Sequence, residues 1–219
     1  MTSYLRIGWV LLLAACCTQG QGTFIYDQQS STYEVPPAYG SGPAIQGALP
    51  STGQSFTPSL SGVDFIRLTF NDGDLSDGLG ATIYLNLRST SITGPVLGTT
   101  APVSMPNGFS GVVNFFFPNT VSLAPATVYY FDLGLQSGGT WNVDVEGFHY
   151  PGGEAFKQGS PYPGSDYWFR EGLYVVPEPS PAVLSALGGA LLGLLRRCRS
   201  VTMAGVLPRR GGEPWVAGG

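Results

Sequence analysis

Ile83-Tyr84-Leu85-Asn86-Leu87-Arg88 alternates apolar side chains with polar or amphipathic ones at every step. A period of two places Ile83, Leu85 and Leu87 on one face of an extended chain and Tyr84, Asn86 and Arg88 on the other, which predicts a half-buried strand. Working outward, Ile66, Leu68 and Phe70 repeat the pattern in the segment beginning at Val63, and Tyr129, Phe131, Leu133 and Leu135 repeat it over residues 128–135. Residues 112–117 are apolar at nearly every position, which predicts a central strand covered on both faces. Turn formers separate these segments at Asn71-Asp72-Gly73, Asp77-Gly78, Pro106-Asn107-Gly108 and Ser137-Gly138-Gly139. No stretch among them holds a helical period beyond about two turns. The expected fold is therefore all-β, an antiparallel β-sandwich of the jelly-roll kind, with a closed barrel as the alternative.

Composition agrees with short strands and tight turns: 11% of the 219 residues are charged, against 32 Gly and 18 Pro. A hydrophobic content of 43% argues against disorder. The formal charge of −4 hides a segregation, because Arg196, Arg197, Arg199, Arg209 and Arg210 lie beyond an apolar run near the C-terminus. Between Gln21 and Val176, Arg67, Arg88, Lys157 and Arg170 face twelve Asp and Glu, leaving that stretch near −8. Such a field repels phosphate backbones and argues against a nucleic-acid partner. Cys16, Cys17 and Cys198 all fall outside residues 21–175, so a disulfide framework or cysteine metal site is not expected there.

Both ends read as targeting. Arg6 precedes the small and apolar run Ile7–Ala15, the layout of a secretory signal peptide over residues 1–20, too short to span a bilayer alone. Cleavage is expected after Gly20. Leu13-Ala14-Ala15-Cys16 offers the alternative of a lipobox with Cys16 lipidated, but the second anchor downstream makes lipidation redundant. That anchor is Val176-Pro177-Glu178-Pro179-Ser180, then fourteen uncharged residues from Ala182 to Leu195, then Arg196-Arg197-Cys198-Arg199. A core helix is disfavoured, since Pro177 and Pro179 block helix entry and the arginines sit where cytoplasmic positive charge belongs; a short transmembrane helix is expected instead.

The order Pro-Glu-Pro, short apolar helix, arginine cluster resembles the PEP-CTERM sorting signal of exported bacterial proteins. The resemblance implies an exosortase-type processing enzyme as partner, with Pro177, Glu178 and Pro179 as recognition residues and Arg196, Arg197 and Arg199 as the stop signal. It also implies anchoring in the inner membrane during transit, then a place at the cell surface or outside it. The chain departs from that pattern by continuing from Ser200 to Gly219, where no periodicity is present and a disordered tail is expected. The expected organisation is thus a signal peptide at 1–20, a β-sandwich at 21–175, the sorting signal at 176–199 and the tail at 200–219. Within the middle part, Tyr26-Asp27-Gln28-Gln29, Gly53-Gln54-Ser55-Phe56-Thr57, the Gly80–Arg88 strand, Tyr129-Tyr130-Phe131 and Asp166-Tyr167-Trp168-Phe169-Arg170-Glu171 resemble a domain type recurrent in PEP-CTERM proteins. That likeness implies a jelly roll related in shape to carbohydrate-binding modules, with no established activity to carry over.

Little in the middle part suggests catalysis. His149 is the only histidine, set between Phe148 and Tyr150, so a zinc site lacks a second imidazole and a Ser-His-Asp triad would have to use this residue. A nucleophile elbow and a phosphate-binding loop are both absent from the sequence. Asp144 and Glu146 lie two apart on a predicted strand and share a face, the one pairing that would serve glycoside hydrolysis. Their expected role is a solvated outer face. Asp72, Asp74 and Asp77, interspersed with Gly73 and Gly78, are weak calcium candidates, since Asp-Gly turns arise for backbone reasons alone and the later bidentate Glu is missing. No other cofactor is implied. Trp141, Tyr150, Tyr162, Tyr167 and Trp168 could stack on sugar rings, although core packing accounts for most such aromatics. Trp141, Tyr162 and Trp168 are the ligand-binding candidates, with Tyr162 foremost because Pro161, Pro163 and Gly164 place it in a loop. The functional expectation is a non-enzymatic surface or matrix protein that contacts extracellular polysaccharide; the alternative is a secreted glycan hydrolase using Asp144 and Glu146.

Overall fold

Alternation in the sequence becomes alternation in burial: Ala81, Ile83, Leu85 and Leu87 are buried, while Thr82, Tyr84, Asn86 and Arg88 are half-buried. The computed structural model describes residues 22–33, 41–45, 51–146 and 150–177. The strands in chain order are β1 (Thr23–Gln29), β2 (Ser41–Ile45), β3 (Gly53–Phe56), β4 (Gly62–Asp72), β5 (Ala81–Ser89), β6 (Val96–Thr99) and β7 (Val103–Met105). There follow β8 (Ser110–Ser122), β9 (Tyr129–Gly138), β10 (Trp141–Glu146), β11 (Ala155–Lys157), β12 (Ser160–Pro161), β13 (Asp166–Tyr167) and β14 (Phe169–Val175). No helix occurs among the described residues, and none there is long and apolar enough to cross a membrane. The signal helix, the C-terminal membrane helix and the tail at 200–219 lie outside the described residues.

Two antiparallel sheets enclose a single apolar cluster, a β-sandwich-like arrangement. In the first sheet β4 pairs with β8 along one edge and with β14 and β10 along the other, β1 pairs with β14, and β2 and β13 pair with β10. In the second the order is β12-β11-β3-β9-β5-β6, with β7 also on β5. The first sheet forks. Phe70 of β4 pairs with Val143 of β10, but Leu68 pairs with Phe169 of β14. Past the fork β10 bonds to β13 instead, with Tyr167 opposite Val145, and the Trp168 N–H donates to the Asp144 carbonyl at 3.0 Å. The chain from Asp166 to Phe169 therefore wedges between β10 and β4.

One expectation is corrected here. Residues 112–117 do not form a central strand: β8 bonds through its ladder to β4 alone and is an edge strand. Val113, Phe115 and Phe117 are buried, while Val112, Asn114 and Phe116 are half-buried. The outward row includes Phe116 because that ring belongs to an aromatic cap on the outside of the first sheet. Its ring lies 5.1 Å from Tyr174, 6.1 Å from Phe24 and 6.3 Å from Phe65.

The core is aromatic and ties the sheets together. Phe131 of the second sheet is fully buried and lies 5.7 Å from Phe169 of the first and 6.3 Å from Phe56. β3 can approach β9 this closely because residue 53 is glycine; a side chain there would collide with the Phe131 carbonyl. Replacing Phe131 with alanine opens a cavity at the centre of both layers, and the expected loss is about 3–5 kcal/mol, read as a lower urea midpoint at unchanged slope.

Candidate functional site

Polar side chains from distant segments meet between the sheets. Gln54, fully buried on β3, donates through Nε2 to Asp166 Oδ1 at 2.7 Å and accepts the Tyr167 N–H on Oε1 at 3.1 Å. The other Asp166 oxygen accepts the Tyr150 N–H at 2.7 Å. The Tyr150 hydroxyl donates to Gln28 Oε1 at 2.8 Å and accepts the Thr57 N–H at 3.4 Å. Asp27 is the extra residue of a β-bulge between Tyr26 and Gln28. The bulge re-aims its carboxylate at the connection before β4, where it accepts the N–H groups of Ser59 and Leu60, each at 2.8 Å, and the Ser59 hydroxyl. The Gln28 amide adds a donor at 3.2 Å.

Glu171 belongs to this seam and is fully buried, with neither oxygen in a hydrogen bond of full geometry. Burial pushes its carboxyl up to about 8, the nearby Asp27 carboxylate adds to the rise, and the Gln28 N–H opposes it. Burial likewise pushes the Tyr150 phenol up to about 12.

The face of the first sheet turned away from the core carries a second polar set, because Arg67 and Asn71 alternate with the core residues Leu68 and Phe70. Asn71 Nδ2 donates to Asp144 Oδ1 at 2.6 Å and Asn142 Nδ2 donates to Asn71 Oδ1 at 3.0 Å. Arg67 donates to Asn114 Oδ1 and to the Tyr26 hydroxyl, both at 2.6 Å, with its guanidinium 4.5 Å from the centre of the Phe24 ring. The Arg170 guanidinium lies 4.9 Å from the Tyr26 ring and 5.4 Å from the Trp168 ring.

Asp144 and Glu146 are on this strand face as expected, but they are not a solvated face. Asp144 is half-buried and burial pushes it up to about 6, opposed by the Asn71 amide. Glu146 has no exposed surface, and neither oxygen makes a full hydrogen bond. Burial raises its pKa, and the Ser31 hydroxyl pulls weakly the other way. The correction has a local cause: past the fork, β13 closes on the end of β10, with Asp166 opposite Glu146. The two carboxyls sit on one strand and one face, not across a cleft.

The aromatic candidates are not brought together. Trp141 is fully buried in the core, 6.2 Å from Phe109. Trp168 is also fully buried, its indole N–H donating to the Tyr33 carbonyl at 3.3 Å. Both are withdrawn as stacking surfaces. Tyr162 is half-buried in its loop, with the Lys157 ammonium 5.8 Å from the ring centre, and keeps an accessible edge.

Asp72, Asp74 and Asp77 each cap their own turn. Asp72 accepts the N–H groups of Asp74 and Gly108 at 2.9 and 2.8 Å, Asp74 that of Ser76 at 3.0 Å, and Asp77 that of Leu79 at 2.7 Å. The Ser76 hydrogen bonds hold the fully exposed Asp74 below the usual carboxylate range. Among the described residues no three His, Cys, Asp or Glu converge to hold a metal ion. His149, Glu178, Pro179, Arg196, Arg197 and Arg199 lie outside the described residues, whereas Pro177 follows the end of β14 and is exposed. Comparison with family models, curated proteins and solved structures finds no match for the chain.

Sequence reasoning missed the seam. Its signal was the presence of Gln54, Asp166 and Glu171 inside strand-forming runs, where a polar side chain on the buried face needs a partner. Replacing Gln54 with leucine removes a buried donor from Asp166 and the acceptor of the Tyr167 N–H, and the expected cost is about 2–4 kcal/mol in urea unfolding. On the outer face, a carboxyl raised by folding is neutral in both states at low pH and opposes folding once ionised. The stability tied to Asp144 is therefore present below the ordinary 3.8 and lost as pH rises through about 6. Asp144→Asn should match the parent at pH 4 and melt at a higher temperature above pH 6.

Proposed function

We propose that this chain is an exported bacterial envelope protein of the PEP-CTERM type, whose non-catalytic jelly-roll domain contacts extracellular polysaccharide. The observation that carries the reading is the order of segments where the fold ends. β14 stops at Val175, Val176 and Pro177 follow it as exposed residues, and the Pro-Glu-Pro, apolar and arginine segments begin there.

The strand order supports the jelly-roll reading: β1-β14-β4-β8 faces β3-β9-β5-β6, with successive strands passing from sheet to sheet as in two interlocked Greek keys. Polysaccharide contact is supported by the half-exposed amides, guanidinium and carboxyl of Asn71, Asn142, Asn114, Arg67 and Asp144 on one face, groups suited to paired sugar hydroxyls. The non-catalytic reading is supported by the enclosure of Glu146 and its place beside Asp144, which leave no room for a sugar ring between two carboxyls.

Two measurements test this. Mass spectrometry of the protein from its own cells should find a mature N-terminus after Gly20 and a C-terminus near Pro177–Pro179; an intact soluble chain overturns the export reading. A glycan array should show retention without turnover, weakened at least several-fold by Asn142→Ala or Tyr162→Ala. Turnover that disappears in the Asp144→Asn, Glu146→Gln double variant would replace binding with the hydrolase reading.

A further inference from the structure

The Asp27 and Glu171 carboxyls lie in one seam with different surroundings, Asp27 half-buried and Glu171 fully buried. Asp27 receives the N–H groups of Ser59 and Leu60, the Ser59 hydroxyl and the Gln28 amide. Glu171, opposite Gln28 in the β1–β14 ladder, is sealed from water, and the Gln28 N–H is the donor that acts on it, short of full hydrogen-bond geometry. An anion at Glu171 would face Asp27 without solvent and with the Gln28 N–H as its offset. Ionisation is therefore disfavoured at Glu171.

The strands around it leave one direction for relief. Gly172 has φ 156°, and a side chain there would strike the Ile25 carbonyl, so β14 and the bulged part of β1 are already in close contact. On its other edge β14 is bonded to β4, which continues into β8. Among the described residues β1 is the outermost strand of the sheet, held by the β14 ladder, by the Asp27 and Gln28 side chains and by the Arg67–Tyr26 hydrogen bond. Among the described residues the charged groups shown to act on Glu171 offer no counter-charge: Asp27 from β1 is acidic, and the Tyr150 phenol from the connection after β10 interacts with both Glu171 and the Asp166 carboxylate of β13. From β4 the residue opposite is Ile66. Arg170 is the neighbour in sequence but lies on the Tyr26 and Trp168 rings of the other face.

We propose that Glu171 is a proton-operated latch on the first strand: protonated, it lets β1 dock, and ionised, it drives β1 off the edge of the sheet while the rest of the sandwich stays folded. The sign follows from linkage. A carboxyl raised from 4.5 to about 8 supports folding fully below 4.5, and that support is lost as pH rises through 8. The latch is tightest in acid and loosens progressively as pH rises from about 4.5 to about 8.

Native-state hydrogen exchange on the full chain, corrected for intrinsic exchange rates, tests this between pH 5 and 9. Protection over Thr23–Gln29 should fall on the order of 100-fold while β5 and β9 keep theirs, and Glu171→Gln should abolish the fall. Equal loss in parent and variant, or loss of all strands together, overturns the latch. Should the glutamine variant fail to fold, carboxyl-carbon NMR titration of the parent decides. A Glu171 midpoint near 8 supports the proposal, and one near the ordinary 4.5 ends it.

Discussion

The two sheets are held in one relative position by the hydrogen-bonded line Gln54–Asp166–Tyr150–Gln28–Asp27. Apolar contacts alone are non-directional, and a sandwich of Phe, Leu and Val can slide by a fraction of a residue at little cost. Buried polar groups do not tolerate such slippage, because each displaced donor or acceptor carries its full desolvation penalty. Gln54 satisfies one backbone and one side-chain partner on the opposite sheet at once, and Tyr150 relays the constraint to the first strand. With no cysteine between residues 21 and 175, this line is the directional element of the core.

The fork in the first sheet sets the electrostatics of its outer side. Because β4 gives up β10 for β14 between Phe70 and Leu68, the strand carrying Asp144 and Glu146 leaves the main ladder and is enclosed by the Asp166–Trp168 wedge. Two carboxyls that an unforked sheet would hold in water are drawn toward their neutral forms. The guanidiniums of Arg67 and Arg170 are laid over Phe24, Tyr26 and Trp168, so positive charge on this side is held by rings.

Local pattern made part of this legible. β4, β5 and β9 were readable because each sends an apolar row inward at alternate positions, which the sequence carries as period two. Trp141 carried the same signal, since Trp141 and Val143 alternate with Asn142 and Asp144, a parity that points the indole inward. β8 misled because its outer row carries Phe116, which packs against Phe24 and Tyr174 from the two ends of the folded chain. No window around residue 116 contains that information. Gln54 and Asp166 are 112 residues apart, so their pairing was invisible to any local rule. The aspartates after β4 were read correctly as turn formers for a backbone reason that needs no tertiary context.

The position of β8 at the rim carries a hazard for crowded solutions. Val112-Val113-Asn114-Phe115-Phe116-Phe117 combines high strand propensity with no charge, and one side of its backbone is open to a new partner. Two features blunt that side: the Ala101 N–H occupies the Phe116 carbonyl at 3.0 Å, and Pro118 interrupts the row of donors immediately afterwards. Intermolecular stacking into fibrils would start from this strand, and the short link between β6 and β7 that carries Ala101 is what keeps neighbouring molecules from adding to it.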